Sequence, residues 1–264
     1  MTQARATPAH PFLDSAGPVA FAHRGGAKEA PENTMAAFAH AVSLGYRYVE
    51  TDVHATADGV VVTCHDASLL RTTGRPGLIR DLPWREVAAA GAPGGEAVPS
   101  LEEALASWPG LRWNIDAKHQ SVIGPLCDLV ARSGALPRVC ITSFSDRSLA
   151  TLRRRLGPDL CSAAGPRGVA GLRLASLLPD HRPLERTWRP AVVAQVPVRY
   201  RGIPLVDRRL LGAAHASALA VHVWTVDDEA EMDRLIDLGA DGIMTDRPSA
   251  LKDVMQRRGL WSGR

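Results

Sequence analysis

The sequence predicts a parallel (β/α)8 barrel, the TIM-barrel fold, with a short insertion after the second strand. Three observations carry this. Short apolar runs alternate with helical patterns about eight times, as βα repeats do. The chain has 264 residues, and such a barrel typically takes about 250. Polar residues also fall at most predicted strand ends: His23, Asp52, Lys118, Ser143 and Gln195, with Val226 the apolar exception. A doubly wound sheet would give the same alternation, but no reason for that placement. In a barrel the C-terminal strand ends build the active site. A faint echo supports repeated units: Leu44-Gly45 precedes Thr51-Asp52 by the spacing with which Leu238-Gly239 precedes Thr245-Asp246.

The elements follow in order. Residues 1–17, broken by Pro8 and Pro11, read as a flexible lead-in, and residues 18–264 as one domain. Val19–His23 is the first strand. Asn33 is placed to cap a helix running to Leu44, with Gly45 just past its end, where a left-handed residue commonly stops a helix. The β-branched content of Tyr48–Val53 marks the second strand. Residues 66–99 are rich in Gly and Pro, with a short helix expected over Leu82–Ala90, and read as an excursion over the barrel mouth. Ser100-Leu101-Glu102-Glu103 has the form of a capping box. Strands then follow at Leu111–Ala117, Arg138–Ser143, Leu160–Ala163, Ala191–Val196, Leu219–Val226 and Gly242–Thr245. The intervening helices are Val122–Ser133, Asp146–Leu156, Gly168–Leu178, Asp207–Ser217 and the one capped by Asp228. A last helix covers Ser249 to about Arg257.

Composition narrows the function. A net charge of +3, spread along the chain, argues against a nucleic-acid partner. No apolar run reaches the roughly 18 residues that a membrane span needs, and Met1–Asp14 lacks an apolar signal core. Cys64, Cys127, Cys140 and Cys161 show no metal-type pairing and read as reduced, buried thiols. The expected location is the cytoplasm.

Chemistry concentrates between Phe21 and Thr73. On the second strand Glu50 and Asp52 point to one face with Tyr48, the two carboxylates about 7 Å apart. A buried pair of that kind needs a cation or a shared proton; the alternative is an exposed polar face. His23-Arg24-Gly25-Gly26 ends the first strand, and glycines there let backbone N–H groups approach a ligand. Arg24 offers a planar fork for phosphate. His65-Asp66 follows the apolar run Val60–Cys64. On the third strand Asn114, Asp116 and Lys118 share a face; the plain reading of Asp116 and Lys118 is an internal ion pair. Three carboxylates from adjacent strands, Glu50, Asp52 and Asp116, suit one hard divalent cation. Mg²⁺ and Ca²⁺ both fit, with Mn²⁺ a further candidate. His222, on a face with Trp224, reads as core.

The ordered string HRG, PENT, ETDV, DG, HD and RTT resembles the glycerophosphodiester phosphodiesterase family. Here these are His23-Arg24-Gly25, Pro31-Glu32-Asn33-Thr34, Glu50-Thr51-Asp52-Val53, Asp58-Gly59, His65-Asp66 and Arg71-Thr72-Thr73. The resemblance covers roughly residues 19–258 and is weakest between 157 and 218. It implies a small-molecule phosphodiester substrate, a metal on Glu50, Asp52 and Asp116, and His23 and His65 as catalytic acid and base. Arg24 and Lys118 would neutralise phosphate, Trp224 would form an apolar wall near the glycerol, and Gln195 is a weaker substrate-binding match. Many members carry Glu where Asp116 stands, and Asp227 follows Trp224-Thr225-Val226 where Asn is common. Direct hydrolysis by water and a route through a cyclic phosphate both remain open, and Asp66 beside His65 tips the acid role toward His65. The leading activity is hydrolysis of glycerophosphodiesters to glycerol 3-phosphate and an alcohol. The alternatives are a lysophospholipase-D-like enzyme acting on lipid-bearing diesters and a non-catalytic phosphate-binding barrel. Oligomeric state is not legible in the sequence.

Overall fold

A computed structural model of the chain describes residues 10–15, 17–91, 96–179 and 182–261. Eight parallel strands form the barrel: β1 (Val19–Ala22), β2 (Tyr48–Ala55), β3 (Arg112–Ala117), β4 (Val139–Thr142), β5 (Cys161–Ser162), β6 (Val193–Pro197), β7 (Ala220–Trp224) and β8 (Gly242–Thr245). Their order round the sheet is β5-β4-β3-β2-β1-β8-β7-β6. A single parallel bridge, Ala163 to Val193, nearly closes the ring, with the Ala164 N–H donating to the Val193 carbonyl at 2.7 Å.

Alternation along each strand splits the apolar residues into two jobs. Outward-facing Val49, Val53, Trp113, Ile115, Ile141, Val221, Val223 and Ile243 are buried beneath the helices. Inward, the floor of the barrel is aromatic. Phe12 meets Tyr48 edge-on at 5.4 Å between ring centroids, and Phe21 meets Tyr48 at 5.2 Å. The Tyr48 hydroxyl donates to the Phe12 carbonyl at 2.8 Å. Phe12 and Leu13, expected in a flexible lead-in, therefore belong to the core: the turn Pro11–Leu13 buries Phe12 completely. Residues 1–9 of that lead-in lie outside the described residues.

Above the floor, Gly242 makes room for rings. A Cβ there would lie 2.7 Å from His222 Cδ2 and 3.0 Å from Phe21 Cε2, which no side chain could accept without moving both.

Caps explain where the helices begin. Thr34, rather than Asn33, caps Met35–Ser43, its hydroxyl accepting from the Ala37 N–H. Asn33 instead adopts a left-handed backbone (φ 56°) and turns its amide into the barrel. Ser100 accepts from the Glu103 N–H and Asp228 caps its helix, both as expected, and Asp207 caps the helix that follows it. An extra strand, Val61–Thr63, antiparallel to β2, leads into the insertion. The insertion then folds on its own small core of Val62, Cys64, Leu69, Ile79, Val87, Ala90 and Val98. That core fixes the segment bearing His65 beside β2. Residues 92–95 of the insertion lie outside the described residues.

Candidate active site

The inward faces of β1, β2, β3 and β8 deliver the site. Glu50 and Asp52 lie on β2, and Asp116 on β3 is the register partner of Asp52. Both strands are buried along this stretch because helices cover their outer faces and the barrel encloses the inner ones. His23 follows the end of β1, and the chain turns sharply through Arg24 (φ 52°), Gly25 (φ 83°) and Gly26 (φ 105°). A Cβ on Gly25 would lie 2.7 Å from that of Ala37, so the turn needs glycine there for space as well as for backbone angle. Arg24, a non-glycine residue in left-handed conformation, is the strained member. Its N–H donates to Glu50 Oε2 at 3.0 Å.

The charges interlock. Lys118 Nζ lies 2.7 Å from Asp52 Oδ1 and 2.6 Å from Asp116 Oδ2. Arg24 Nε lies 3.1 Å from Asp52 Oδ2 without the alignment of a hydrogen bond, while its Nη1 donates to Glu32 at 3.2 Å. Asn33 donates to Asp52 Oδ2 at 3.0 Å and accepts from the Thr51 hydroxyl at 2.7 Å.

Each carboxyl responds differently. Burial, then the charge of Asp52, pushes Glu50 up to about 7. Burial would raise Asp52 too, but Lys118 and Arg24 overrule it and hold its pKa below the ordinary value. Asp116 is raised by burial despite Lys118.

Both histidines are oriented by a carboxylate on Nδ1. His23 Nδ1 lies 2.6 Å from Asp246 Oδ1, and its Nε2 lies 3.7 Å from Glu50 Oε2. Burial alone would lower the His23 pKa, but Glu50 and Asp246 outweigh it and the net shift is upward. His65 Nδ1 lies 2.7 Å from Asp66 Oδ1. Arg71 holds Asp66 with Nε at 2.6 Å and grips Glu32 with both terminal nitrogens, at 3.0 and 2.6 Å. His65 is close enough that its charge acts on Asp116 and Glu32. The adjacency of Asp66 no longer distinguishes the two histidines, since Asp246 does the same for His23.

Sequence reasoning left Asp246, Glu32 and Arg71 without a role. Glu32 belongs to the PENT motif and Arg71 to RTT. For Asp246 the signal was the Thr-Asp echo, which places Asp246 at the end of β8 as it places Asp52 on β2.

The remaining candidates line the approach. Trp224 ends β7 and meets Phe144 edge-on at 5.9 Å, and Lys118 lies 5.9 Å above the Phe144 ring. Gln195 on β6 donates to Asn114 Oδ1 at 2.6 Å across the barrel interior. Ser143 is occupied in donating to the Ala117 carbonyl. His222 is wholly buried against Phe21.

The donor set suits a hard cation. As they stand, no three His, Cys, Asp or Glu side chains among the described residues are arranged to grip one ion. The chemistry nonetheless fits: all three donors are carboxylates, and the buried Asp116 Oδ1 has no hydrogen-bond partner. Three acids also face only two permanent cations, Arg24 and Lys118. An anionic phosphodiester would meet excess negative charge unless further positive charge were present.

Residues 23–250 match the model of the glycerophosphoryl diester phosphodiesterase family. The chain belongs to that family. A Mycobacterium tuberculosis relative named probable glycerophosphodiester phosphodiesterase 2 is 39% identical over 253 residues, 96% of each chain. A human lysophospholipase D is 30% identical over 268 residues, covering 88% of this chain and 84% of its own. The fold matches an Oleispira antarctica phosphodiesterase solved with the product sn-glycerol-3-phosphate, with TM-score 0.73, 23% identity, and coverage of 91% of this chain and 97% of that one. This chain is a glycerophosphodiester phosphodiesterase built on a TIM barrel. Among its described residues no helix is long and apolar enough to cross a membrane.

Proposed function

We propose that the enzyme cleaves glycerophosphodiesters to glycerol 3-phosphate and an alcohol by a His23/His65 acid–base pair. The observation that carries this is the pair of carboxylate-oriented histidines flanking one cluster of acids, Lys118 and Arg24. With Nδ1 of each ring engaged, Nε2 of each is the nitrogen left to move a proton. One histidine takes a proton from the attacking hydroxyl as its oxygen bonds to phosphorus. The other gives a proton to the departing alkoxide oxygen as the phosphorus–oxygen bond breaks. Attack by water gives glycerol 3-phosphate directly, whereas attack by the glycerol hydroxyl gives a cyclic phosphate that water then opens, adding to phosphorus as a ring phosphorus–oxygen bond breaks. Arg24 and Lys118 bind the non-bridging oxygens and stabilise the charge that builds there. Glu50, Asp52 and Asp116 would hold one divalent cation, Mg²⁺, Ca²⁺ or Mn²⁺, which supplies Lewis-acid neutralisation of the phosphate when bound. Trp224 and Phe144 offer an apolar wall to the carbon skeleton, and four buried free thiols suit a reducing cytoplasm.

Assay of the metal-stripped enzyme on glycerophosphocholine tests the cation. Activity is expected to vanish on exhaustive chelation and return with a divalent ion; full turnover without metal would remove the cation from the reading. Asp116→Asn keeps the shape of the side chain and loses its charge. It is expected to raise the metal concentration needed for activity, and an unchanged metal titration would remove Asp116 as a ligand. A second reading, hydrolysis of lysolipid diesters, is favoured by the 30% identity to the human lysophospholipase D. A side-by-side assay of lysophosphatidylcholine and glycerophosphocholine decides between them.

A further inference from the structure

Eight large apolar side chains among the described residues are exposed, and five of them, Leu70, Leu78, Phe144, Tyr200 and Ile203, lie on loops at the barrel mouth. Three are held where they are by well-defined local structure. Arg199–Tyr200 and Ile203–Pro204 form a two-stranded hairpin in which Tyr200 faces Ile203 directly. Its two-residue turn has positive φ at both positions, 50° at Arg201 and 82° at Gly202, the tight turn whose twist matches paired strands. Residues directly opposite in a hairpin share a face, so the turn presents one aromatic and one β-branched side chain together, 57% and 64% exposed. The hairpin is anchored beside the site, since the Val198 N–H donates to the Trp224 carbonyl at 3.3 Å. Phe144, 67% exposed, stands against Trp224 on the same side. Leu70 and Leu78 rise from the insertion, which Arg71 ties to Glu32.

Charge on the hairpin has one sign. The hairpin segment 199–204 carries Arg199 and Arg201 and no acid, and on the insertion Arg75 stands between Arg71, which Asp66 and Glu32 neutralise, and Arg80, which lies 3.7 Å from Asp81. Arg201 lies 5.5 Å from the Tyr200 ring centroid, so apolar and cationic groups occupy the same tip. The chain as a whole is only +3, so Arg199 and Arg201 on a hairpin without an acid, with Arg75 on the facing loop, are a local concentration of positive charge. Apolar tips flanked by arginines suit a surface with negative headgroups over hydrocarbon. Two separated loops flanking one opening also suit a flat partner that touches both at once.

We propose that the rim of the mouth, led by the Tyr200/Ile203 hairpin, docks on an anionic lipid surface with the active site facing it. The occupant is the bilayer itself, with Tyr200, Ile203 and Phe144 entering the interface and Arg199, Arg201 and Arg75 meeting the headgroups. The proposal goes beyond the phosphodiesterase reading and does not depend on it.

Flotation with vesicles of phosphatidylcholine, with and without phosphatidylglycerol, tests it on the full chain. Binding is expected only to the mixed vesicles, and it should weaken as salt is raised. The double variant Tyr200→Ser/Ile203→Ser should partition about tenfold less, and Arg199→Gln and Arg201→Gln about fivefold less each. Leu70→Ser, on the opposite loop, should also weaken binding. All variants should hydrolyse soluble glycerophosphocholine at the wild-type rate, which shows that they are folded. If the wild type does not hydrolyse that diester, the phosphodiesterase reading fails while flotation still decides the docking. Absence of binding to mixed vesicles at low salt would overturn the proposal, as would equal binding by every variant. So would a dimer in sedimentation that the double variant dissolves in the absence of lipid binding, because the occupant would then be a second copy of the chain.

Discussion

The floor and the mouth of this barrel are lined by the same strands and built on opposite terms. Tyr48 and Asp52 lie on one face of β2. At the floor, Tyr48 packs edge-on to Phe12 and Phe21 and donates its hydroxyl to a backbone carbonyl. Rings there fill space and the one polar group is satisfied. At the mouth, four residues further along, Asp52 sits among Glu50, Asp116, Lys118 and Arg24, with Asp116 Oδ1 left unpaired. Buried acids that repel one another cost stability, and so does the left-handed backbone at Arg24. The floor has no ligand to meet and can be closed for stability; the mouth must stay charged and incompletely satisfied so that substrate completes it. Substitutions at the two ends should therefore separate turnover from folding.

The largest effect is expected at the mouth. General acid–base help is typically worth about 10²–10⁴-fold, so His23→Ala and His65→Ala should each lose about that much on glycerophosphocholine, with little change in unfolding midpoint. A nitrophenyl phosphodiester sharpens the comparison within the mouth, because its stable phenolate barely needs a proton. His65 is the more open of the two, 35% exposed at its side chain against 13% for His23, and the alcohol must leave toward solvent. His65→Ala should accordingly be far less damaging on the nitrophenyl ester than on the choline ester, whereas His23→Ala should hurt both alike. Equal losses by both variants on both substrates would remove this division of roles.

At the floor the expected pattern reverses. Phe12 is fully buried and edge-packed, so Phe12→Ala should cost about 3–5 kcal/mol of stability through lost burial and the cavity left behind. Turnover per folded molecule should hold at temperatures where the variant remains folded. Urea unfolding and kcat at low temperature check the two halves separately. A large drop in kcat with unchanged stability would mean that the two ends are not independent.

What the sequence showed follows the same division. The eight strands and the inward set of Glu50, Asp52, Asp116 and Lys118 were legible because alternation on a strand fixes which residues share a face; the two histidines were legible because each follows a short apolar run inside a motif. The floor was not: Pro8 and Pro11 made residues 10–13 look like loop, and nothing local says that Phe12 folds under Phe21 and Tyr48. The partner of His23 was also hidden, since Asp246 is 223 residues away and only closure of the ring brings β8 beside β1. Asn33 was misplaced for a related reason. It is a good helix cap by type, but its amide is taken by Asp52 and Thr51, and the adjacent threonine caps instead.

His222 lies between the two ends and offers the finest test. It packs on Phe21 at 4.8 Å, and neither ring nitrogen has a hydrogen-bond partner. It is a polar residue placed as though it belonged to the floor. Burial drives its pKa down from 6.5 to about 4, so at neutral pH both the folded and the unfolded chain carry it uncharged. As pH falls below 6.5 the unfolded chain takes up a proton that the folded chain refuses. Unfolding then gains protons, and stability falls until the folded residue itself titrates near 4. The full swing across that window is about 3 kcal/mol. His222→Leu removes the titration and also two buried nitrogens without partners, whose replacement by apolar atoms is expected to be neutral or slightly stabilising near pH 7. The difference in unfolding free energy between variant and wild type should therefore be small and flat above pH 6.5 and grow in favour of the variant toward pH 4. Urea unfolding across that range measures it directly. A difference that stays constant with pH would show that His222 is hydrogen-bonded or protonated in the folded chain, and would move it from the packed half of the barrel to the polar one.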